Sequence, residues 1–555
     1  MPSPETQSQI RSADRPPVEL PQPVRMRVLG AIMVGIFLAA LDQTVVGTAL
    51  PRIITDLGGT NLYTWAFTAY LLTSTISGPL YGRLSDLFGR RPLFLVGIGV
   101  FMLGSLLSGL ASEMWQFVLT RGIQGLGAGA LFPIAMATIA DLFTFKERGR
   151  YQGLFGAVFA LSSLLGPAIG GLITDTIGWP FVFFVNLPIG AVVLFTVRRY
   201  LPLYRPAGER PQIDYLGAGL FAGALVPILV GLTNKSSADW SDPSVGGLIA
   251  LGGIILAAFL VVESRASEPI VPLGLFRIRA VAVSVGTAFL AASGFFTAVV
   301  FLPRWFQVVG GASATISGYE MLPLLAGVII SASAAGPIVA RTGRHRRLLL
   351  ISMVAMAVGI ALLTQLRVDT PLPILWAEMF LTGLGVGPVF SVLPMVVQSN
   401  VPVTQIGAAS SSVSFFQQVG GTVGLAITGT VFATSMAHEM PAALGSAGVP
   451  GPVAQALAET GGIQALTGVG TGAASYLASL PGDVRGLIEP LLPAILGAIH
   501  GAFSIATSST FSIGIGTSVL AAALVLLYRE APAEAGERSW TSAEAETGEP
   551  SASAA

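Results

Sequence analysis

The sequence predicts an all-α, polytopic membrane protein. Three observations carry that reading: the chain is very apolar, membrane-length runs recur along it, and its basic residues fall almost entirely on one side of those runs. Of 555 residues, 53% are hydrophobic and only 10% charged, and the mean hydropathy is +0.75. A soluble fold of this length has too little interior to hide so much apolar surface. A run of about 20 apolar residues, wound as a helix, crosses the roughly 30 Å hydrocarbon core with its backbone hydrogen bonds satisfied internally. Fourteen such runs are read, at 27–47, 62–82, 93–112, 115–139, 151–173, 180–199, 213–233, 244–263, 280–303, 315–340, 348–366, 373–398, 408–434 and 507–528.

Taken in order, the chain opens on a polar segment, 1–24, rich in Pro, Ser and charge. It lacks the apolar core and small-residue cleavage site of a signal peptide, so the first run is expected to be its own insertion signal. With the N-terminus placed in the cytoplasm, 23 of the 29 basic residues fall on the inner side and five on the outer: Arg52, Lys235, Arg304, Arg367 and Arg485. Arg121 lies within the fourth run. That asymmetry predicts an even number of crossings with both ends inside. The chain has no cysteine and a formal net charge of zero, so neither a disulfide framework nor a thiolate metal site is expected.

The segment after the tenth run, Gly336-Pro337-Ile338-Val339-Ala340-Arg341-Thr342-Gly343-Arg344, is a worn copy of the one after the second, Gly82-Arg83-Leu84-Ser85-Asp86-Leu87-Phe88-Gly89-Arg90. Gly125-Leu126-Gly127-Ala128-Gly129 in the fourth run is echoed at nearly the same offset by Gly383-Leu384-Gly385-Val386-Gly387 in the twelfth. Runs 1–6 therefore correspond to runs 9–14, a parallel duplication of the kind in which two halves rock about a central site. The expected organisation is a six-helix bundle at 25–200, an inserted pair with linkers at 201–279, a second six-helix bundle at 280–529 that includes an outer loop at 435–506, and a disordered cytoplasmic tail at 530–555.

With these features in place the chain resembles the major facilitator superfamily, and within it the fourteen-helix drug:proton antiporters that include multidrug and quaternary-ammonium exporters. Four stretches carry the resemblance. Gly82 to Phe94 is similar to the superfamily's loop between its second and third helices, and Arg121-Gly122-Ile123-Gln124-Gly125-Leu126-Gly127 to its fourth-helix motif. Gly166-Pro167-Ala168-Ile169-Gly170-Gly171 resembles the antiporter motif, with Ser162 where glycine is usual. Leu41-Asp42-Gln43-Thr44-Val45-Val46-Gly47-Thr48-Ala49-Leu50-Pro51 resembles the first-helix signature of the fourteen-helix branch. The resemblance implies export, and it implies that the Pro167 motif seals the site against proton leak.

The same residues have a physical reading. Gly82 and Gly89 permit close packing and a turn, while Asp86, Arg90 and Arg91 sit where helix ends favour charge. Asp141, at the inner end of the fourth run, is the expected partner of Arg90 in a latch that breaks as the halves move; Arg90 and Arg91 acting only as topology anchors is the plainer alternative. Pro167 removes a helix hydrogen bond, and Gly166, Gly170 and Gly171 allow a neighbouring helix to approach, although a simple kink would also use them. Asp42 and Arg121 lie at equal depth and are expected to pair, as the proton-coupling site or as mutually neutralising structure. Gln124 shares the helical face of Arg121. Glu320, Glu378, Phe415 and Gln418, with Trp65, Tyr70, Phe416 and Gln417 as further candidates, are expected to line a cavity for flat cations. His345, His438 and His500 lack metal-ligand spacing and are read as structural or interfacial. Short helices within 435–506, such as 483–500, are expected to lie on the outer leaflet or cap the cavity.

No HExxH, cysteine cluster or Ser/His/Asp trio in a membrane register argues for an enzyme. The function expected is exchange of protons for amphipathic, cationic compounds across the cytoplasmic membrane by alternating access. The partners expected are protons, small substrates and the bilayer, with no nucleic acid, cofactor or metal, in a monomeric protein. A lipid or cell-envelope exporter, a pump for one antibiotic, a proton-coupled importer and a non-transporting sensor remain open alternatives at this point.

Overall fold

The computed structural model describes residues 20–57, 62–203, 214–235, 238–266, 269–402, 405–459, 466, 485–486 and 488–528. Among the described residues all regular structure is helical. The first group is α1 (Gln22–Leu57), α2 (Tyr63–Phe88), α3 (Arg90–Gly109), α4 (Met114–Leu142), α5 (Phe145–Thr176) and a broken sixth rod made of α6 (Pro180–Phe184) and α7 (Asn186–Tyr200). The inserted pair is α8 (Tyr215–Asn234) and α9 (Leu248–Glu263). The second group is α10 (Arg279–Val308), α11 (Ala314–Glu320), α12 (Leu322–Thr342), α13 (His345–Leu363), α14 (Leu372–Ser399), α15 (Ile406–Ser446), α16 (Gly451–Glu459) and α17 (Leu492–Leu526).

Among the described residues, twelve helical rods are long and apolar enough to cross a membrane by length and composition. The fourteen runs read from the sequence reduce to twelve on that measure. The two that drop out are α2, with 26 residues, and α5, with 32. α2 dilutes its apolar stretch with Thr68, Thr73, Ser74, Thr75, Ser77, Arg83 and Asp86, whereas α5, apolar from Leu154 to Ile173, is interrupted by side chains that lie outside the described residues. Each is nonetheless packed between the other rods, α2 against α4 and α15, and α5 against α1 and α12.

The duplicated glycines do equivalent work. On α4, a Cβ at Gly125 would strike the backbone of Tyr70 on α2, and one at Gly127 would strike Phe101 on α3. On α14, a Cβ at Gly383 would strike Leu324 on α12, and one at Gly385 would strike Met356 on α13. Backbone therefore packs on backbone at both places, as small residues allow in lipid-facing bundles. In the repeated loop both helix-ending glycines take a positive φ, Gly89 at +93° and Gly343 at +67°, although their ψ angles differ. Each is the residue at which one helix stops and a short turn leads to the next.

The two groups meet along two seams, α2 with α15 and α5 with α12. The inserted pair lies over the first of these. Phe221 and Leu225 of α8 and Phe259 of α9 form an apolar cluster with Leu72 and Ile76 of α2, joined by Phe415 of α15.

The outer segment expected at 435–506 is partly a continuation of two helices. α15 runs on to Ser446 and α17 already starts at Leu492, because Met440, Leu444, Ile495 and Ile499 share an apolar cluster that stabilises both extensions. The amphipathic stretch expected at 483–500 thus becomes, from Leu492 onward, the first turns of α17. Of the expected tails, 1–24 and 530–555, residues 1–19 and the whole of the second lie outside the described residues, as do most of 460–487, whereas Gln22 to Val24 already belong to α1.

Candidate functional site

Asp42 of α1 and Arg121 of α4 meet with both side chains fully buried. Arg121 Nη1 donates to Asp42 Oδ2 at 2.5 Å and to Gln124 Oε1 at 2.6 Å, while Gln124 Nε2 donates to Asp42 Oδ1 at 2.8 Å. The triangle closes because residues three apart share a helix face, and because Gly104 of α3 leaves room: a Cβ there would lie 2.5 Å from Gln124 Cα. Asn186, at the start of α7, donates to Asp42 Oδ1 at 3.4 Å and to Ser105 Oγ at 3.0 Å. Arg121 Nε and Nη2 have no hydrogen-bond partner; instead the guanidinium carbon sits 4.3 Å from the Tyr70 ring centre and 5.8 Å from that of Phe183. Aromatic faces partly replace water around a buried cation.

A second ionic cluster closes one end of the α2–α15 seam. Arg90 Nε donates to Asp141 Oδ2 at 2.9 Å, Nη1 lies 2.5 Å from Asp86 Oδ1, and Nη1 also reaches Ser85 Oγ at 2.7 Å. Asp86 does more than pair with Arg90. Its two oxygens accept the backbone N–H groups of Gly407, at 2.9 Å, and Ala408, at 2.8 Å, in the first turn of α15. Those amides have no carbonyl within their own helix to bond, and the helix dipole favours a negative group there. Gly82 lets the two groups touch at this point: a Cβ on it would lie 2.5 Å from Ser411 Cβ and 2.8 Å from Gly407 O. Gly89 supplies the turn. Arg91 is half-buried and makes no ion pair among the described residues.

On α5, Gly166 and Ser162 face Thr44, two residues after Asp42 on α1. Thr44 Oγ1 lies 3.0 Å from Ser162 O, and a Cβ on Gly166 would lie 2.6 Å from Thr44 Cβ. Of the expected close-packing glycines, Gly166 makes the approach and Gly170 is buried. Gly171 does not: a Cβ there meets nothing within 4 Å. Pro167 falls within α5, and its side chain lies outside the described residues.

With this geometry, the profile of the Major Facilitator Superfamily matches residues 32–425. The chain belongs to the major facilitator superfamily. It is similar to the multidrug transporter protein MdtP of Bacillus subtilis (strain 168), 38% identical over 413 residues that make up 74% of this chain and 76% of the relative. It is likewise similar to multidrug resistance protein 3 of the same organism, 39% identical over 407 residues, 73% of this chain and 78% of the relative. Among solved structures, the human organic anion transporter MFSD10 shares the fold at a TM-score of 0.58 and 16% identity, covering 91% of this chain and all of that one.

In this superfamily transporter each residue expected to line a cavity has contacts of its own. Gln124 is fully buried with its amide bonded to Asp42 and Arg121, so it belongs to the ion-pair cluster. Tyr70 lies beneath Arg121 in the same cluster. Phe415 packs on Phe221 of the inserted pair, ring centres 5.5 Å apart, in the apolar cluster that α8 and α9 form with α2. Phe416 packs on Phe276. Gln418 Oε1 accepts from Thr75 Oγ1 at 2.6 Å across the seam. Glu320 Oε2 accepts the Trp376 indole N–H at 2.6 Å, whereas Glu378 is buried with Oε2 unpartnered. Trp65 is half-buried, and Gln417 is buried with its Nε2 unpartnered among the described residues.

Two sets of groups escaped the sequence reading. Asn186 is a lone amide in the run Phe181-Val182-Phe183-Phe184-Val185, and such a group inside a membrane calls for a partner. The Gly407 and Ala408 amides carry no side-chain signal at all; only the helix start at Ile406 marks them.

Proposed function

We propose that this superfamily member is a proton-coupled antiporter that exports amphipathic, cationic drug-like compounds across the cytoplasmic membrane by alternating access. It is read as fourteen crossings, counting α2 and α5 with the twelve apolar rods, with both termini in the cytoplasm and a monomer as the working unit. The two half-bundles move about the seams, and the Asp86–Arg90–Asp141 cluster with its grip on α15 holds the cytoplasmic end shut. The outward-directed reading draws on the drug-transporting relatives and on the α1–α5 contact at Thr44, Ser162 and Gly166.

The observation that carries the coupling is the Asp42–Arg121–Gln124 triangle. A proton arriving on Asp42 cancels its charge and leaves Arg121 buried with only Gln124 and two aromatic faces. Removing one partner of a buried ion pair costs about 3–5 kcal/mol, enough to bias a two-state equilibrium by two to more than three decades. Return of the aspartate charge restores the pair. Protonation at one side and release at the other then drive the cycle, with each charge also gaining about 2.3 kcal/mol per 100 mV of membrane potential.

Ethidium and proton flux in proteoliposomes under an imposed pH gradient test this. Wild type is expected to move ethidium against protons, and Asp42→Asn to abolish gradient-driven movement while retaining ethidium binding. Gradient-driven transport by Asp42→Asn at the wild-type rate would remove Asp42 from coupling, and no ethidium movement by wild type would remove the cargo class.

A further inference from the structure

We propose that Asp214 and Glu263 share a single proton, forming a proton-binding site in the inserted helix pair, apart from Asp42. Asp214 is the N-cap of α8, its Oδ1 accepting from Gly217 N at 2.7 Å. Glu263 ends α9 and is 2% exposed, its Oε1 accepting from Val271 N at 2.6 Å. Each carboxylate thus fixes backbone with one oxygen. The other oxygens, Asp214 Oδ2 and Glu263 Oε2, are buried and have no hydrogen-bond partner among the described residues.

Both spare oxygens face one spot, the open side of Gly217. A Cβ on that residue would lie 2.5 Å from Asp214 Oδ2 and 2.7 Å from Glu263 Oε2. Two bare anionic oxygens in so small a buried space repel, and neither can donate to the other. One proton resolves both defects: the protonated carboxyl donates and the ionised one accepts, leaving a single negative charge. The charged groups acting on Glu263 are Asp214 on α8 and Arg83 on α2. Arg83 is itself buried and lies one turn before Asp86. With one proton the pair presents one negative charge toward that end of α2; without it, two. The inserted helices therefore carry a proton-dependent charge next to the helix that grips α15, and this holds whether or not Asp42 is the coupling group.

The test uses the full-length protein in lipid nanodiscs and two readouts. Infrared difference spectra at pH 7 are expected to show a protonated-carboxyl C=O band in wild type that is lost in both Glu263→Gln and Asp214→Asn. Thermal unfolding followed from about pH 6 to 9 is expected to show a Tm that falls in wild type, since the folded pair holds a proton that the unfolded chain releases. The slope of that fall should be shallower in Glu263→Gln, whose amide donates permanently. Asn caps a helix as Asp does, so Asp214→Asn keeps α8 intact if the glutamine variant fails to fold. A band unchanged in both variants would overturn the proposal. So would a Tm that rises on adding sodium or calcium with no band assignable to the pair, since a metal cation would then occupy the space.

Discussion

Replacing Asp86 by Asn should loosen the end of the seam that it closes. Asp86 accepts two backbone N–H groups of α15 and faces Arg90, with a side chain that is 1% exposed. Asn keeps one acceptor oxygen and turns an NH2 toward the second amide or toward Arg90. A hydrogen bond to a charged group contributes about 1.5–3 kcal/mol, and a partly buried charge at a helix N-terminus up to about 2 kcal/mol. The closed end should therefore lose about 1.5–5 kcal/mol relative to the open one, or one to more than three decades in their ratio. The chain lacks cysteine, so spin labels on cysteines placed at the exposed Phe88 and Asn400 report the separation directly. The expected result is a shift of the distance distribution to longer values in Asp86→Asn, with Arg90→Ala behaving similarly. Identical narrow distributions in wild type and both variants would refute the argument that this cluster sets the conformational balance.

Two further outcomes follow from the backbone and the packing. Gly89→Ala places a Cβ at φ +93° and ψ +154°, a region nearly restricted to glycine, and should cost about 1–3 kcal/mol; Gly343→Asn, at φ +67° and ψ −1°, should be milder because Asn tolerates the left-handed region, and thermal unfolding of the two variants compares them. Gly166→Val should push α5 off Thr44, costing about 1–3 kcal/mol by overpacking. Thr44→Ala in the same chain should recover part of that loss in Tm and in transport; no recovery would mean that the valine acts elsewhere.

Apolar runs made the helices legible, because membrane-length hydrophobicity is a coarse signal that survives any detail of packing. The Asp42–Arg121 contact was legible for a related reason: two ionisable groups at equal depth have few other partners. Gln124 was assigned to a cavity wall because helical spacing gives the face of a side chain but not what that face meets. The contact of Phe415 with Phe221 is not legible for a similar reason, since nothing in its own run announces that α8 lies beside it. The hold of Asp86 on α15 joins residues more than 300 positions apart through backbone amides, and only the folded arrangement reveals a partner without a side chain. The ends of α15 and α17 were set too short because an Ala- and Leu-rich extension needs a companion to be stable, and each provides the other's.

The glycine stripes on α4 and α14 have a mechanical consequence. Where backbone lies directly on backbone, no rotamer is available to flip and no methyl group can slide into a gap, so these contacts resist shear. Beside its glycine and ionic contacts, the α2–α15 seam carries softer material, the hydroxyl and amide pair of Thr75 and Gln418, which water can replace bond for bond. The molecule is thus a pair of stiff shells joined by wettable joints. Its turnover should respond to viscosity and to single polar changes along those joints far more than to equally large changes within either shell.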